Sequence, residues 1–71
     1  MTARDYRIVI RPLSGKQGGG FGAIVPDLPG CRSDGETPQG ALANAYDAIG
    51  CWLEAAEEMG RLVPQPDRGA V

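Results

Sequence analysis

Histidine is absent from the whole 71-residue chain. The commonest general base and the commonest metal-binding side chain are therefore missing together. Only two cysteines are present, Cys31 and Cys51, with no CxxC spacing and no imidazole to complete a zinc set. A disulfide between them is arithmetically open, but two thiols in a reducing compartment is the expectation. Large side chains are also scarce, with one Phe, one Trp and two Tyr. A chain this short buries only about 60% of the surface its unfolded form exposes. A core drawn from so few aromatics invites help from a partner or from self-association. Cations are not in excess: 7 Lys and Arg face 9 Asp and Glu, a net charge of -2. That argues against a dedicated nucleic-acid binder. No apolar run approaches the roughly 20 residues of a membrane span. None follows Met1-Thr2-Ala3-Arg4-Asp5 to make a signal peptide. The expectation is a soluble cytoplasmic protein without membrane attachment.

What is present suits a folded chain. The 42% hydrophobic and 23% charged content is close to the globular average and allows one domain. Tyr6-Arg7-Ile8-Val9-Ile10-Arg11 alternates, with Tyr6, Ile8 and Ile10 on one face and Arg7, Val9 and Arg11 on the other. Period two with β-branched residues predicts a strand that ends near Pro12. The glycine-rich stretch from Ser14 to Gly20 reads as a flexible hairpin connection. Phe21 to Val25 resumes the alternation, with Phe21, Ala23 and Val25 facing together. Pro29-Gly30 predicts a type II turn within a rigid corner from Pro26 to Gly30. Cys31 to Asp34 then reads as a short edge strand closed by an Asp34-Gly35 turn.

Thr37-Pro38 opens a helix, as a hydroxyl N-cap followed by proline at the first helical position. Leu42, Ala45, Tyr46, Ile49, Leu53 and Ala56 recur at the spacing of one helical face, and Gly60 suits the residue just past the end. Asn44, Asp47, Cys51, Glu54 and Glu58 share the polar face. Ala41, Ala48, Trp52, Ala55 and Met59 widen the apolar side. That flank is either more core or a contact surface, with Ala48, Trp52, Ala55 and Met59 as the candidate oligomer interface. Leu62-Val63 is read as a possible short last strand, and 67–71 as a frayed tail after a single domain over 1–66. The fold class is α+β: a three-stranded antiparallel sheet packed on one long helix.

No catalytic constellation emerges. The glycine-rich loop lacks the phosphate-loop pattern and leads into a strand, not a helix N-terminus. Asp27, Asp34 and Glu36 lie in turns, where such carboxylates usually bond their own backbone and stay solvated, although a Mg²⁺ site is the alternative. Cys51 has no cationic neighbour within one turn to activate it. The expectation is a protein that is not an enzyme and carries neither metal nor cofactor.

The combination of Gly20-Phe21-Gly22-Ala23-Ile24-Val25-Pro26-Asp27-Leu28-Pro29-Gly30-Cys31 with Ser33-Asp34-Gly35-Glu36-Thr37-Pro38 is specific. With Tyr6 to Ile10 before it and Ala41 to Ala45, Trp52 to Ala56, Gly60 and Pro64-Gln65-Pro66 after it, the chain resembles the HicB-like antitoxin family. The resemblance implies a β-β-β-α-β module like a reduced, catalytically dead ribonuclease H domain. It implies a HicA-like toxin as partner, a small basic mRNA-cleaving ribonuclease whose active site the antitoxin blocks. Dimers or tetramers are implied as well. Many relatives carry a C-terminal operator-binding segment; this sequence stops soon after Pro66, so direct DNA binding is not expected. On this reading Asp27, Asp34 and Glu36 are the candidate toxin-facing residues, since acidic groups suit a basic partner. The alternative is a stand-alone homo-oligomeric regulatory or ligand-binding domain without a toxin.

Overall fold

A computed structural model describes residues 3–65. Strands β1 (Val9–Pro12), β2 (Phe21–Ile24) and β3 (Arg32–Gly35) precede the helix α1 (Pro38–Glu58). The strands form one antiparallel sheet in the order β1-β2-β3, and the register sets Val9 opposite Ile24 and Ile24 opposite Arg32. The described residues span only 17 Å in the thinnest direction, which is one helix lying on one sheet. Among the described residues only one face of the sheet is covered.

The alternation from Tyr6 to Arg11 falls as expected, with Tyr6 buried, Ile8 and Ile10 half-buried, and Arg7, Val9 and Arg11 exposed, but the strand itself begins only at Val9, where pairing with β2 starts. β1 ends at Pro12 as expected, with Pro12 itself as its last residue, opposite Phe21. The reason lies in the ladder phase. The Leu13 N–H donates to the Gly20 carbonyl at 2.8 Å, so in an antiparallel pair the odd-numbered amides of β1 face β2. Pro12 points its missing donor away from the sheet, where an edge strand loses nothing.

The Ser14–Gly20 connection is more regular than its composition implies. A 3-10 turn at Gly15–Gln17 is followed by Gly18, Gly19 and Gly20 at φ 96, 73 and 74°, and the Gly19 N–H returns to the Ser14 carbonyl at 2.9 Å. Asp34-Gly35 is strand and not a turn. A Cβ on Gly35 would lie 2.5 Å from the Ala41 nitrogen, so the glycine is what lets the helix N-terminus sit directly on β3.

Both ends of α1 are capped. The Thr37 Oγ1 accepts from the Gly40 N–H at 2.9 Å, with Pro38 at the first position. At the far end Gly60 adopts φ 68°, its N–H donates to Glu57, and the Arg61 N–H donates to Ala56. This is the Schellman arrangement, which satisfies carbonyls the helix would leave open.

The core divides into two clusters along the helix. Near its N-terminus Ala23 packs with Ala41 and Ala45, and small residues bring helix and sheet close. Ala41 is therefore central, not part of the lateral flank where periodicity placed it. Further along, Tyr6, Val25, Leu28, Cys31 and Ile49 form the larger cluster, flanked by Tyr46, Trp52 and Leu53. Among the described residues no strand forms at Leu62–Val63. Instead the chain runs extended, and the Tyr6 hydroxyl donates to the Pro64 carbonyl at 2.6 Å. A segment with two prolines offers few donors for a ladder and is held here by a side chain. The tail expected at 67–71 lies outside the described residues.

Candidate functional site

The corner between β2 and β3 is two successive turns. The Leu28 N–H donates to Val25 at 3.1 Å and the Cys31 N–H to Leu28 at 3.0 Å, with Gly30 at φ 78° as a type II turn requires. Leu28 is pinned in the core, and the Trp52 indole N–H donates to the Pro29 carbonyl at 3.0 Å. The corner is thus fastened to the helix from below and from the side. Asp27 is half-buried within it, one carboxylate oxygen 3.9 Å from the Arg7 guanidinium.

Asp34 and Glu36 stand at the opposite end of the sheet. Both are exposed, and with Gly18, Gly19, Gly20 and Gly35 they line a shallow hollow of about 440 Å³. The Asn44 amide donates to the Asp34 backbone carbonyl at 2.7 Å, tying the edge of β3 to the helix and leaving the carboxylate outward. The fold therefore joins two of the three candidate carboxylates and sets Asp27 apart. Among the described residues no three side chains of metal-ligating type come together.

The helix flank divides as well. Ala48 and Trp52 are half-buried against the larger core cluster, whereas Ala55 is exposed and Met59 retains 68% of its surface. Cys31 is buried and Cys51 exposed, both free. Burial pushes the Cys31 thiol pKa up. Tyr6 is also held above its ordinary value, first by burial and then by the carboxylates of Asp27 and Asp5.

One surface was not anticipated as such. The uncovered face of the sheet presents Val9 and Ile24, and Leu13 folds over Gly22, where an added Cβ would meet its Cδ2 at 3.1 Å. Arg11, Arg32 and Asp34 border a hollow of about 630 Å³ there. The outward assignment of Val9 and Arg11 was legible in the alternation; that β2 and β3 add an apolar residue and a second arginine required the register. The helix, by contrast, contains no lysine or arginine, and Asp47, Glu54, Glu57 and Glu58 are exposed along it. No helix among the described residues is long and apolar enough to cross a membrane.

A family model described as the HicB-like antitoxin of bacterial toxin–antitoxin systems matches residues 6–69. A UPF0150 protein of Synechocystis is 37% identical over 60 residues, covering 84% of this chain and 78% of the relative. No solved structure shows a significant match, so the likeness to a reduced ribonuclease H domain is not carried further. The chain belongs to the HicB-like antitoxin family.

Proposed function

We propose that this member of the HicB-like antitoxin family neutralises a HicA-type mRNA-cleaving toxin by binding it and covering its active site. The observation that carries the reading is the family match across residues 6–69, which takes in the sheet, the corner and the helix alike. A regulatory role through binding suits such a protein, and a toxin of some kind is the partner its family implies.

The contact surface we favour is acidic. Asp34 and Glu36 are exposed side by side, beside a hollow floored by glycine backbone that a partner side chain can enter. Paired carboxylates would speed encounter with a basic toxin more than they deepen the final affinity. Asp27 belongs to the same proposal with a smaller share, because Arg7 already offsets its charge.

The test is capture of partners on the tagged chain in its native host, followed by an RNA-cleavage assay of what is recovered. A small basic ribonuclease that falls silent when this chain is added supports the proposal. Recovery of the chain alone would overturn it in favour of a stand-alone oligomeric domain. With the toxin in hand, Asp34→Asn/Glu36→Gln is expected to slow association several-fold at low salt, and the difference from wild type should vanish at high salt.

A further inference from the structure

Gly20, Gly22 and Gly35 stand in or beside the sheet, and the fold accounts for the first and the last. A Cβ on Gly20 would lie 2.6 Å from the Gly35 carbonyl oxygen, and one on Gly35 would lie 2.5 Å from the Ala41 nitrogen. Gly22 is different. It lies within the central strand, in continuous register with Arg11 on one side and Asp34 on the other, so it marks no bulge. The three nearest neighbours of a Cβ there are all atoms of the Leu13 side chain, the first at 3.1 Å. They are the far end of a flexible group, not a backbone that needs the space. A glycine inside a strand weakens it, and without a bulge or bend it marks a place where something else approaches closely.

The space opens on the face of the sheet opposite α1. Gly22 floors a hollow of about 630 Å³ bordered by Leu13, Ile24, Arg11, Arg32 and Asp34. Ile24 keeps 40% of its surface exposed there, in a chain where large apolar side chains are scarce. Two guanidiniums face one carboxylate, and among the described residues neither Arg11 nor Arg32 is in an ion pair. The register sets Arg11 opposite Gly22, and Arg32 opposite Ile24. Two strand spacings across and two residues along place their Cα atoms about 12 Å apart, with the gap between Gly22 and Ile24 at the midpoint.

From this we infer that the hollow receives an acidic segment of another protein. One large apolar side chain of that segment seats over Gly22 and Ile24, with a carboxylate on either side of it, one for each arginine. Carboxylates four residues apart on an extended segment, or seven apart on a helix, span about 10–14 Å and match the arginines. The apolar anchor supplies affinity, and the guanidinium forks fix the orientation. A phosphate polymer is disfavoured, since Ile24 and Leu13 offer it nothing and a net charge of -2 repels it. A basic toxin is disfavoured by the same two arginines. This partner is therefore a different one, and the inference does not rest on the proposed function.

Panning a random-peptide library against the full chain tests it, with peptides that also bind an Ile24→Glu chain discarded. The expected winners carry a large apolar residue with Asp or Glu within four positions on both sides. Their Kd should be about 10–100 µM, as suits so small a contact. In fluorescence-polarisation titrations Ile24→Glu and Arg11→Glu/Arg32→Glu should each weaken binding roughly tenfold or more, with circular dichroism checking both folds. Gly22→Ala should weaken it several-fold by filling the gap. Charge reversal is the sharpest arm: panning on the Arg11→Glu/Arg32→Glu chain should return apolar residues flanked by Lys or Arg instead. Winners without acidic residues, or none that distinguish wild type from Ile24→Glu, would overturn the inference. So would a single-stranded RNA or duplex DNA probe whose binding is lost in the arginine variant, since the face would then read phosphates. A wild-type oligomer that Ile24→Glu dissociates in sedimentation would overturn it as well, because a second copy would already fill the hollow.

Discussion

The two faces of the sheet are made from similar residue types and do opposite things. On the covered face Ile8, Ile10, Ala23 and Val25 pack under α1, graded from small residues at one end of the helix to large ones at the other. On the open face Val9, Leu13 and Ile24 are just as apolar but have arginines between them, and no other described element lies over them. Apolar character alone does not therefore assign a side chain to the core. What separates the faces is whether there is a second element to lay on each, and the described residues supply a single long helix.

The sharpest way to break that comparison is to make one truncation on each side of it. Ile49→Ala empties a site with 0% exposure and should cost about 2–5 kcal/mol, a large part of what so small a domain has. Ile24→Ala on the open face should cost about 1 kcal/mol or less, because its side chain keeps 40% of its surface in water. Urea midpoints of the two variants check both; equal losses would mean that the open face is covered in solution. Next in size is Gly35→Ala, where the new methyl would meet backbone atoms of Gly40 and Ala41 at 2.7 and 2.5 Å. Backbone cannot swing aside as a side chain can, so a loss of about 1–3 kcal/mol is expected from lifting the helix N-terminus off β3. Gly22→Ala, which meets only the Leu13 side chain, is the milder control on the other face.

The smallest effect concerns Tyr6 and is read through pH. Tyr6→Phe removes the hydroxyl that holds Pro64 and should cost about 1 kcal/mol at neutral pH. The folded protein keeps this phenol neutral above its ordinary pKa of 10.0, chiefly by burial. Its contribution is therefore complete below that value and shrinks as pH rises towards the folded-state pKa, because the unfolded phenol ionises first. Wild type should keep its advantage over Tyr6→Phe up to about pH 10 and lose it as the pH rises beyond that value. A constant difference across that range would show that Tyr6 is not protected.

Much of the fold was legible because its signals are local. Thr37-Pro38 and Gly60 set the helix ends through backbone chemistry that involves only neighbouring residues. Pro29-Gly30 specified its turn in the same way. The misplaced details share a different cause. β1 was taken to begin at Tyr6, yet pairing with β2 begins only at Val9, because alternation records which side chains face the core and not whether a partner strand lies alongside. Asp34-Gly35 looked like a turn because a glycine needed for close approach is spelled like one needed for positive φ. Ala41 looked peripheral because an alanine in a crowded contact contributes little to a periodic pattern.

The candidate surfaces were less legible still. Asp34 and Glu36 are near neighbours in sequence and remain so in space, whereas Asp27 is carried to the other end by the length of β3. Val9, Ile24 and Arg32 come from three separate strands and share a row only through the register of the sheet.

By itself the amino-acid sequence determined the three strands, the long capped helix, the corner and the family to which they belong. Each depends on spacing and backbone preference within a few residues. Only the tertiary structure decided which apolar side chains are core and which are exposed, and which charges stand together. Those are properties of pairs brought close by folding, and a one-dimensional pattern contains the members of each pair without their distance.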